Sequence, residues 1–167
     1  MEKKTPLIAW LLSVIWSAAF IWFFFSQETK ISNLQKAHNN LIDVFHKGDL
    51  FLASIISEDL QGYVAHRKSL LTYIDYYNKQ LATEKFDNLN PAHIQVLLSE
   101  MRVLVGEMDH AGFPPPEIIR DHFLKVNSEI HGIAVLSLKE AKMTTWFETV
   151  AIFFFLVRLG VLNSALW

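Results

Sequence analysis

An arginine lies inside the apolar stretch WFETVAIFFFLVRLGVLNSALW, residues 146–167. Only nine uncharged residues separate Glu148 from Arg158, so a membrane span here must include at least one of the two charges. A charged side chain at the bilayer centre costs about 2.5–3.5 kcal/mol on insertion scales. Two interpretations stay open: Arg158 reaches the cytoplasmic headgroups along its aliphatic stem, or it binds a carboxylate of another chain.

Small residues recur at four-residue spacing in both apolar stretches of the chain. Ala9, Ser13 and Ser17 do so near the N-terminus, and Gly160 and Ser164 near the C-terminus. Small residues allow the backbones of membrane helices to approach closely. Together with Arg158, these positions predict an intramembrane contact with a partner protein, although one stripe could instead join the two spans of this chain.

Histidine and aspartate occur together at two predicted turns. His46 and Asp49 lie at the first turn, and Asp109 and His110 precede the AGFPPP segment at another. At one end of an up-down bundle, two imidazoles and two carboxylates could ligate zinc or copper. The same residues are common as helix caps and solvated turn residues, and no HxxxH or HExxH spacing fixes the ligands. Caps are the favoured interpretation, and no cofactor is predicted.

The Asp-His pairs at Asp109-His110 and Asp121-His122 also raise the question of catalysis. The chain has no GxSxG elbow, no P-loop and no glycine-rich dinucleotide turn, and these are the motifs that would place such groups in a reactive geometry. It also has no cysteine, which excludes disulfides and thiol chemistry. His38 is expected to be a hydrogen-bonded core residue. The sequence therefore predicts a protein that is not an enzyme.

Two apolar stretches are predicted to be transmembrane helices at the ends of the chain. Leu7 to Phe25 contains no charge over 19 residues, which corresponds to about 28 Å of helix, close to the thickness of a bilayer's hydrocarbon core. A signal peptide has a shorter apolar core of roughly 7–15 residues. The second stretch is bracketed by Trp146 and Trp167, and tryptophan favours the membrane interface. The predicted organisation is residues 1–25, 26–145 and 146–167.

Basic residues set the predicted orientation. Lys3 and Lys4 precede the first span, which favours a cytoplasmic N-terminus. Two spans then return the C-terminus to the cytoplasm and place residues 26–145 outside it, in the periplasm if the membrane is a bacterial inner membrane. The formal net charge of −2 offers no reason to expect a nucleic-acid partner.

Helical periodicity predicts that residues 26–145 form an antiparallel four-helix bundle, with two of its helices continuing into the spans. The first helix is predicted from about Pro6 to Lys47 and is ended by Gly48, with Asp49 as the next cap. The second is predicted from Leu50 to Glu84, with a bend at Ser57-Glu58-Asp59 or Gly62. Asn90 is predicted to cap the third helix, with Pro91 at its first position. The predicted inner positions of the third helix are Ile94, Leu97, Met101, Leu104 and Met108.

The order of span, helical bundle and span resembles the sensor half of bacterial chemoreceptors and two-component kinases. That resemblance implies a ligand- or metal-sensing module, yet those proteins carry a cytoplasmic output domain after the second span and this sequence shows none. The main expectation is a non-enzymatic accessory or scaffold subunit that docks a membrane protein partner or a second copy of itself. A sensing module with a separate output protein, or a small antagonist of the immunity or antiholin type, is the alternative.

Overall fold

Four α-helices account for the regular secondary structure of the described chain. The computed structural model describes residues 5–83 and 89–165, and for residues 5–10, 12, 83 and 159–165 it describes the backbone alone. The helices are α1 Thr5–Ile56, α2 Leu60–Thr83, α3 Pro91–Ala111 and α4 Glu117–Ala165, and no strand occurs within the described ranges. The predicted all-α fold is confirmed.

The predicted end of the first helix at Gly48 is wrong, because α1 continues to Ile56. The chain turns instead at Glu58, which has a positive φ of 53°. Its amide donates to the Ile55 carbonyl at 3.2 Å, and the Asp59 amide donates to the Ser54 carbonyl at 2.9 Å. These are the two bonds of a Schellman motif, which usually has glycine at the left-handed position.

Capping side chains begin the next two helices. The Asp59 carboxylate accepts hydrogen bonds from the amides of Gln61 at 3.1 Å and Gly62 at 3.0 Å, so it satisfies donors that have no partner within α2. The Asn90 side chain accepts from the His93 amide at 3.2 Å, with Pro91 in the first turn of α3. The predicted cap of the third helix is confirmed.

The chain divides into two compact units, one formed by Met1–Ser32 with Ala141–Trp167 and the other by Asn33–Glu140. We call the first the terminal pair and the second the bundle. In the bundle, cross-helix contacts join α1 to α2, α2 to α3, α3 to α4 and α4 to α1. Within each pair of helices, residues near the C-terminal end of one helix contact residues near the N-terminal end of the other. Contacts of the four pairs include Asn40–Gln80, Arg102–Asp75, His122–Glu100 and Phe51–Phe123. Adjacent helices are therefore antiparallel, in up-down-up-down order.

Apolar side chains at helical spacing fill the bundle. All five predicted inner positions of α3 are buried, since residues three and four apart lie on one helical face. Phe51, Tyr77 and Phe123 are among the largest fully buried side chains. Ile56 and Leu60 are 73% and 57% exposed, because the chain turns between them.

Among the described residues, no helix contains a segment long and apolar enough to cross a membrane.

Candidate functional site

Arg158 contacts an aromatic ring within the terminal pair. Its guanidinium carbon lies 4.7 Å from the centre of the Trp16 ring, a distance at which the ring's negative face attracts a cation. The described residues include no carboxylate in ion-pair contact with Arg158. The sequence suggested a carboxylate as a possible partner of Arg158 and did not identify Trp16. The positions of the two residues were a signal, since Trp16 lies at the middle of the first apolar stretch and Arg158 lies near the middle of the second.

A groove of about 430 Å³ adjoins this contact. Arg158 is the only charged residue among those that line it, and its walls are aromatic, formed by Trp16, Phe20, Phe23, Phe154 and Phe155. The Phe20 and Phe155 rings stack with their centres 4.0 Å apart and their planes 8° apart. Ala19 and Ala151 also line the groove, and their small side chains leave its volume open.

Large apolar side chains of the terminal pair are exposed. Trp22 is 75% exposed, and Trp16, Ile15, Phe25, Trp146, Phe153, Phe154 and Leu156 are each more than half exposed. An apolar surface of this extent in a soluble monomer usually marks a protein or membrane contact. The terminal pair is therefore the part of the described chain best suited to a contact with lipid or with another protein.

The structure describes only some of the side chains in the two series of small residues. Ser13 and Ser17 are half-buried. Ala9, Gly160 and Ser164 belong to α1 and α4, but their side chains lie outside those that the structure describes. The predicted partner contact at these five positions stays a prediction.

The four residues considered as metal ligands lie on helices instead of in turns. His46 and Asp49 belong to α1, since that helix continues past Gly48, and Asp109 and His110 belong to the last turn of α3. Asp49 accepts a hydrogen bond of 2.8 Å from Asn127. The described residues contain no group of three or more histidine or acidic side chains placed to hold a metal ion. The metal hypothesis therefore gains no support from the structure.

Asp109 instead joins α2 to α3. It accepts a 2.8 Å hydrogen bond from the Tyr63 hydroxyl and pairs with Arg67. Burial, and then the hydrogen bond to Asp109, raise the pKa of Tyr63 above its ordinary value. Burial and a 2.8 Å hydrogen bond to Asp43 likewise raise the pKa of Tyr73. These carboxylates therefore have a structural role in helix packing.

Histidine side chains join α4 to its neighbours α1 and α3. The Nδ1 atom of His38 lies 2.8 Å from the Ala134 carbonyl, and since that carbonyl can only accept, Nδ1 is the donor. This confirms the predicted hydrogen bond of His38, although the residue is half-buried instead of lying in the core. His122 pairs with Glu100 at 2.9 Å, and His93 pairs with Glu129 at 3.2 Å. Of the neighbouring residues Asp121 and His122, the histidine therefore pairs with Glu100 of α3.

A close approach of α1 and α4 explains Gly48. A Cβ atom at this position would lie 2.8 Å from Cγ and 3.0 Å from Nδ2 of Asn127, and closer still to its Oδ1. Asn127 is fully buried and donates to the Phe45 carbonyl at 3.3 Å as well as to Asp49. Gly48 is therefore a packing residue that gives Asn127 room against α1.

In comparisons with known proteins, no family model matches the chain, and no match is found among curated proteins or solved structures.

Proposed function

We propose that this chain is a non-enzymatic accessory or scaffold subunit of a membrane protein complex. The terminal pair lies in the bilayer and docks a partner there, and the bundle contacts the partner outside the cytoplasm. The observation that carries the proposal is the exposed aromatic and aliphatic surface of the terminal pair. Such a surface is costly in water and is stabilised by lipid or by a partner's apolar side chains.

The sequence supports the membrane location of the terminal pair. The uncharged run from Leu7 to Phe25 has the length of a bilayer span, and part of that run precedes the side chains that the structure describes. Lys3 and Lys4 favour a cytoplasmic N-terminus. In this arrangement both termini are cytoplasmic, residues 26–145 are extracytoplasmic, and a bacterial inner membrane is the setting we favour.

The chemistry of the bundle supports a role in binding over one in catalysis. Three of the six acidic and histidine side chains considered for catalysis or metal binding, Asp49, Asp109 and His122, each bind another side chain within the bundle. Catalytic groups usually converge on a concave pocket, whereas these three bridge neighbouring helices and stabilise their packing. The surfaces left for a partner are the terminal pair and the outer faces of the bundle helices.

Affinity purification in a mild detergent tests the proposal. A tagged full-length chain at native expression is expected to bring down a membrane protein, identified by mass spectrometry, or a second copy of itself. Arg158→Leu is expected to weaken that capture if the arginine takes part in the contact, and Arg158→Lys, which keeps the positive charge, serves as the matched control.

Purification of the wild-type chain as a monomer without any partner would contradict the proposal. The sensing alternative would then be tested by thermal shift of the full chain against divalent metals and small ligands.

A further inference from the structure

A second groove lies on the bundle, between α1 and α2. Its volume is about 690 Å³, within the range of small-molecule sites, roughly 300–1,000 Å³. Lys47 lines it from α1, and the lining residues of α2 are Ala65, Lys68, Ser69, Thr72, Tyr73 and Tyr76. All of these residues belong to the bundle, so the groove does not depend on where the terminal pair lies.

The charged side chains that line this groove are all positive. They are Lys47 and Lys68, and neither forms an ion pair with a carboxylate of the described residues. The Asp43 carboxylate, at the edge of the groove, accepts a 2.8 Å hydrogen bond from the Tyr73 hydroxyl. The whole chain has a formal net charge of −2, so two unopposed positive charges in one groove are a local feature that favours an anionic occupant.

Two hydroxyl groups add hydrogen-bond donors beside the lysines. The Ser69 Oγ atom accepts a 3.2 Å hydrogen bond from Nζ of Lys47, and the Tyr76 hydroxyl accepts a 2.5 Å hydrogen bond from Nε2 of Gln80. A hydroxyl that accepts in this way keeps its own proton to donate. The ammonium of Lys47 has three donors, of which Ser69 takes one. The groove therefore offers donors from both lysines and both hydroxyls to an oxyanion.

The ammonium group of Lys47 is held in place by its neighbours. Its Nζ atom lies 5.3 Å from the centre of the Tyr73 ring, a cation–π distance, and it donates to Ser69. Tyr73 is fixed in turn by its hydrogen bond to Asp43. Side chains that are already ordered lose less freedom when a ligand binds. Lys47 therefore provides a preorganised positive charge in the groove.

The groove also has an aromatic surface that a bare inorganic anion would leave uncovered. Tyr76 is 50% exposed, and its ring centre lies 5.6 Å from that of Tyr73. Flat rings pack against an exposed tyrosine in stacked or edge-to-face arrangements. Ala65 adds a small apolar side chain to the lining. An occupant that matches both the charge and this surface is an anion with an aromatic ring.

We propose that the groove between α1 and α2 binds a small aromatic carboxylate. The carboxylate lies on Lys47 and Lys68, with the Ser69 hydroxyl as a further donor, and the ring packs against Tyr76. Hydrogen bonds between an ammonium and a carboxylate are charge-assisted and stronger than neutral ones. This site goes beyond the accessory role and does not rest on it, because it needs only the bundle.

An NMR titration of the full-length, ¹⁵N-labelled protein in a non-ionic detergent tests the site, with benzoate as the probe. Benzamide has the same shape without the charge, and acetate has the charge without the ring. We expect saturable shifts in the amide signals of residues 65–76, with a Kd for benzoate at least about tenfold lower than that for benzamide. Acetate should bind more weakly than benzoate, and added salt should weaken both anions.

Lysine-to-methionine substitutions remove the charge and keep an apolar side chain of similar length. Lys47→Met should raise the Kd for benzoate by roughly tenfold, and Lys68→Met, at an exposed position, should raise it by less. Lys125→Met, which removes an exposed lysine of α4 outside the lining, is the matched control and should leave the Kd unchanged. Far-UV circular dichroism confirms that each variant folds, and Lys68→Met provides an independent test if Lys47→Met does not fold.

Substitutions of Tyr76 test the ring contact separately. Tyr76→Ala should weaken the binding of benzoate and leave that of acetate unchanged, whereas Tyr76→Phe keeps the ring and should keep most of the benzoate affinity. Inorganic phosphate that binds as tightly as benzoate would indicate a site for any small anion and would overturn the assignment to an aromatic carboxylate.

The remaining outcomes separate this inference from the proposed function. No saturable shift up to roughly 10 mM benzoate, equal Kd values for benzoate and benzamide, or unchanged benzoate binding in both lysine variants would overturn the site. Loss of a copurified protein in Lys47→Met, from a chain that does not bind benzoate, would assign the groove to a partner and would also overturn it. A wild-type chain that brings down no protein yet binds benzoate selectively would support the site and count against the accessory role.

Discussion

Replacement of Gly48 by alanine tests the packing of α1 against α4 in the bundle. In an open helix this change is favourable by about 1 kcal/mol, because alanine has the higher helix propensity. At Gly48 the new methyl group would lie 2.8 Å from Cγ of Asn127, well inside van der Waals contact. Asn127 is fully buried, so it has no open space into which its amide can turn.

The expected loss of stability follows from the contacts of that amide. Overpacking a well-packed core costs about 1–3 kcal/mol. Displacement of Asn127 also weakens its hydrogen bonds to the Phe45 carbonyl and to Asp49, at about 1 kcal/mol each. After the gain in propensity, Gly48→Ala should lower the free energy of unfolding by about 2–4 kcal/mol.

Thermal unfolding of the full chain in mild detergent, followed by far-UV circular dichroism, measures this change. At roughly 4 °C per kcal/mol for a unit of this size, the Tm should fall by about 8 °C or more. Gly106→Ala and Gly132→Ala are matched controls, because a Cβ at either position meets nothing within 4 Å, and each should raise the Tm by about 4 °C. A rise for Gly48→Ala equal to that of the controls would refute the reasoning, as would full additivity with Asn127→Ala.

Three further predictions concern the bundle. Glu58→Gly should stabilise the protein by about 1 kcal/mol in the same thermal assay, because glycine adopts a positive φ without steric cost. Asn90→Ala should destabilise it by about 1 kcal/mol through loss of the α3 cap, and Asn90→Asp should restore most of the Tm. Unfolded tyrosine loses its proton near pH 10 whereas Tyr63 and Tyr73 hold theirs to higher pH, so stability should fall as the pH rises above about 10. Tyr63→Phe and Tyr73→Phe should flatten that fall in Tm measured from about pH 9 to 11, and an unchanged slope in both variants would contradict it.

Local signals predicted the parts of the fold that depend on neighbouring residues. The cap at Asn90-Pro91 and the inner stripe of α3 are set by chemistry within one or two turns of helix, and both appear as expected. The predicted end of α1 at Gly48 was wrong because a glycine can either end a helix in the left-handed conformation or allow another helix to pack closely. Only the position of Asn127, far along the chain, decides between them at Gly48.

The same limit applies to the candidate site. Arg158 was identified from its place in an apolar run, but its aromatic neighbour Trp16 depends on how two distant helical segments meet. The four candidate metal ligands lie on helices instead of in turns for a related reason. Once α1 extends past Gly48, Asp49 faces Asn127 within the bundle instead of solvent at a turn.

Photo-crosslinking in living cells tests most directly whether the terminal pair docks a membrane partner. A photoreactive phenylalanine analogue is placed at Trp22 or Phe153, whose side chains are 75% and 63% exposed, and as a control at Phe20, which stacks on Phe155 of the same chain. The account predicts a crosslink from an exposed position to one membrane protein or to a second copy of the chain, and little or none from Phe20. The docking role would be contradicted if the analogue formed no crosslink to any protein at Trp22 or Phe153, nor at the exposed positions Phe25 and Leu156.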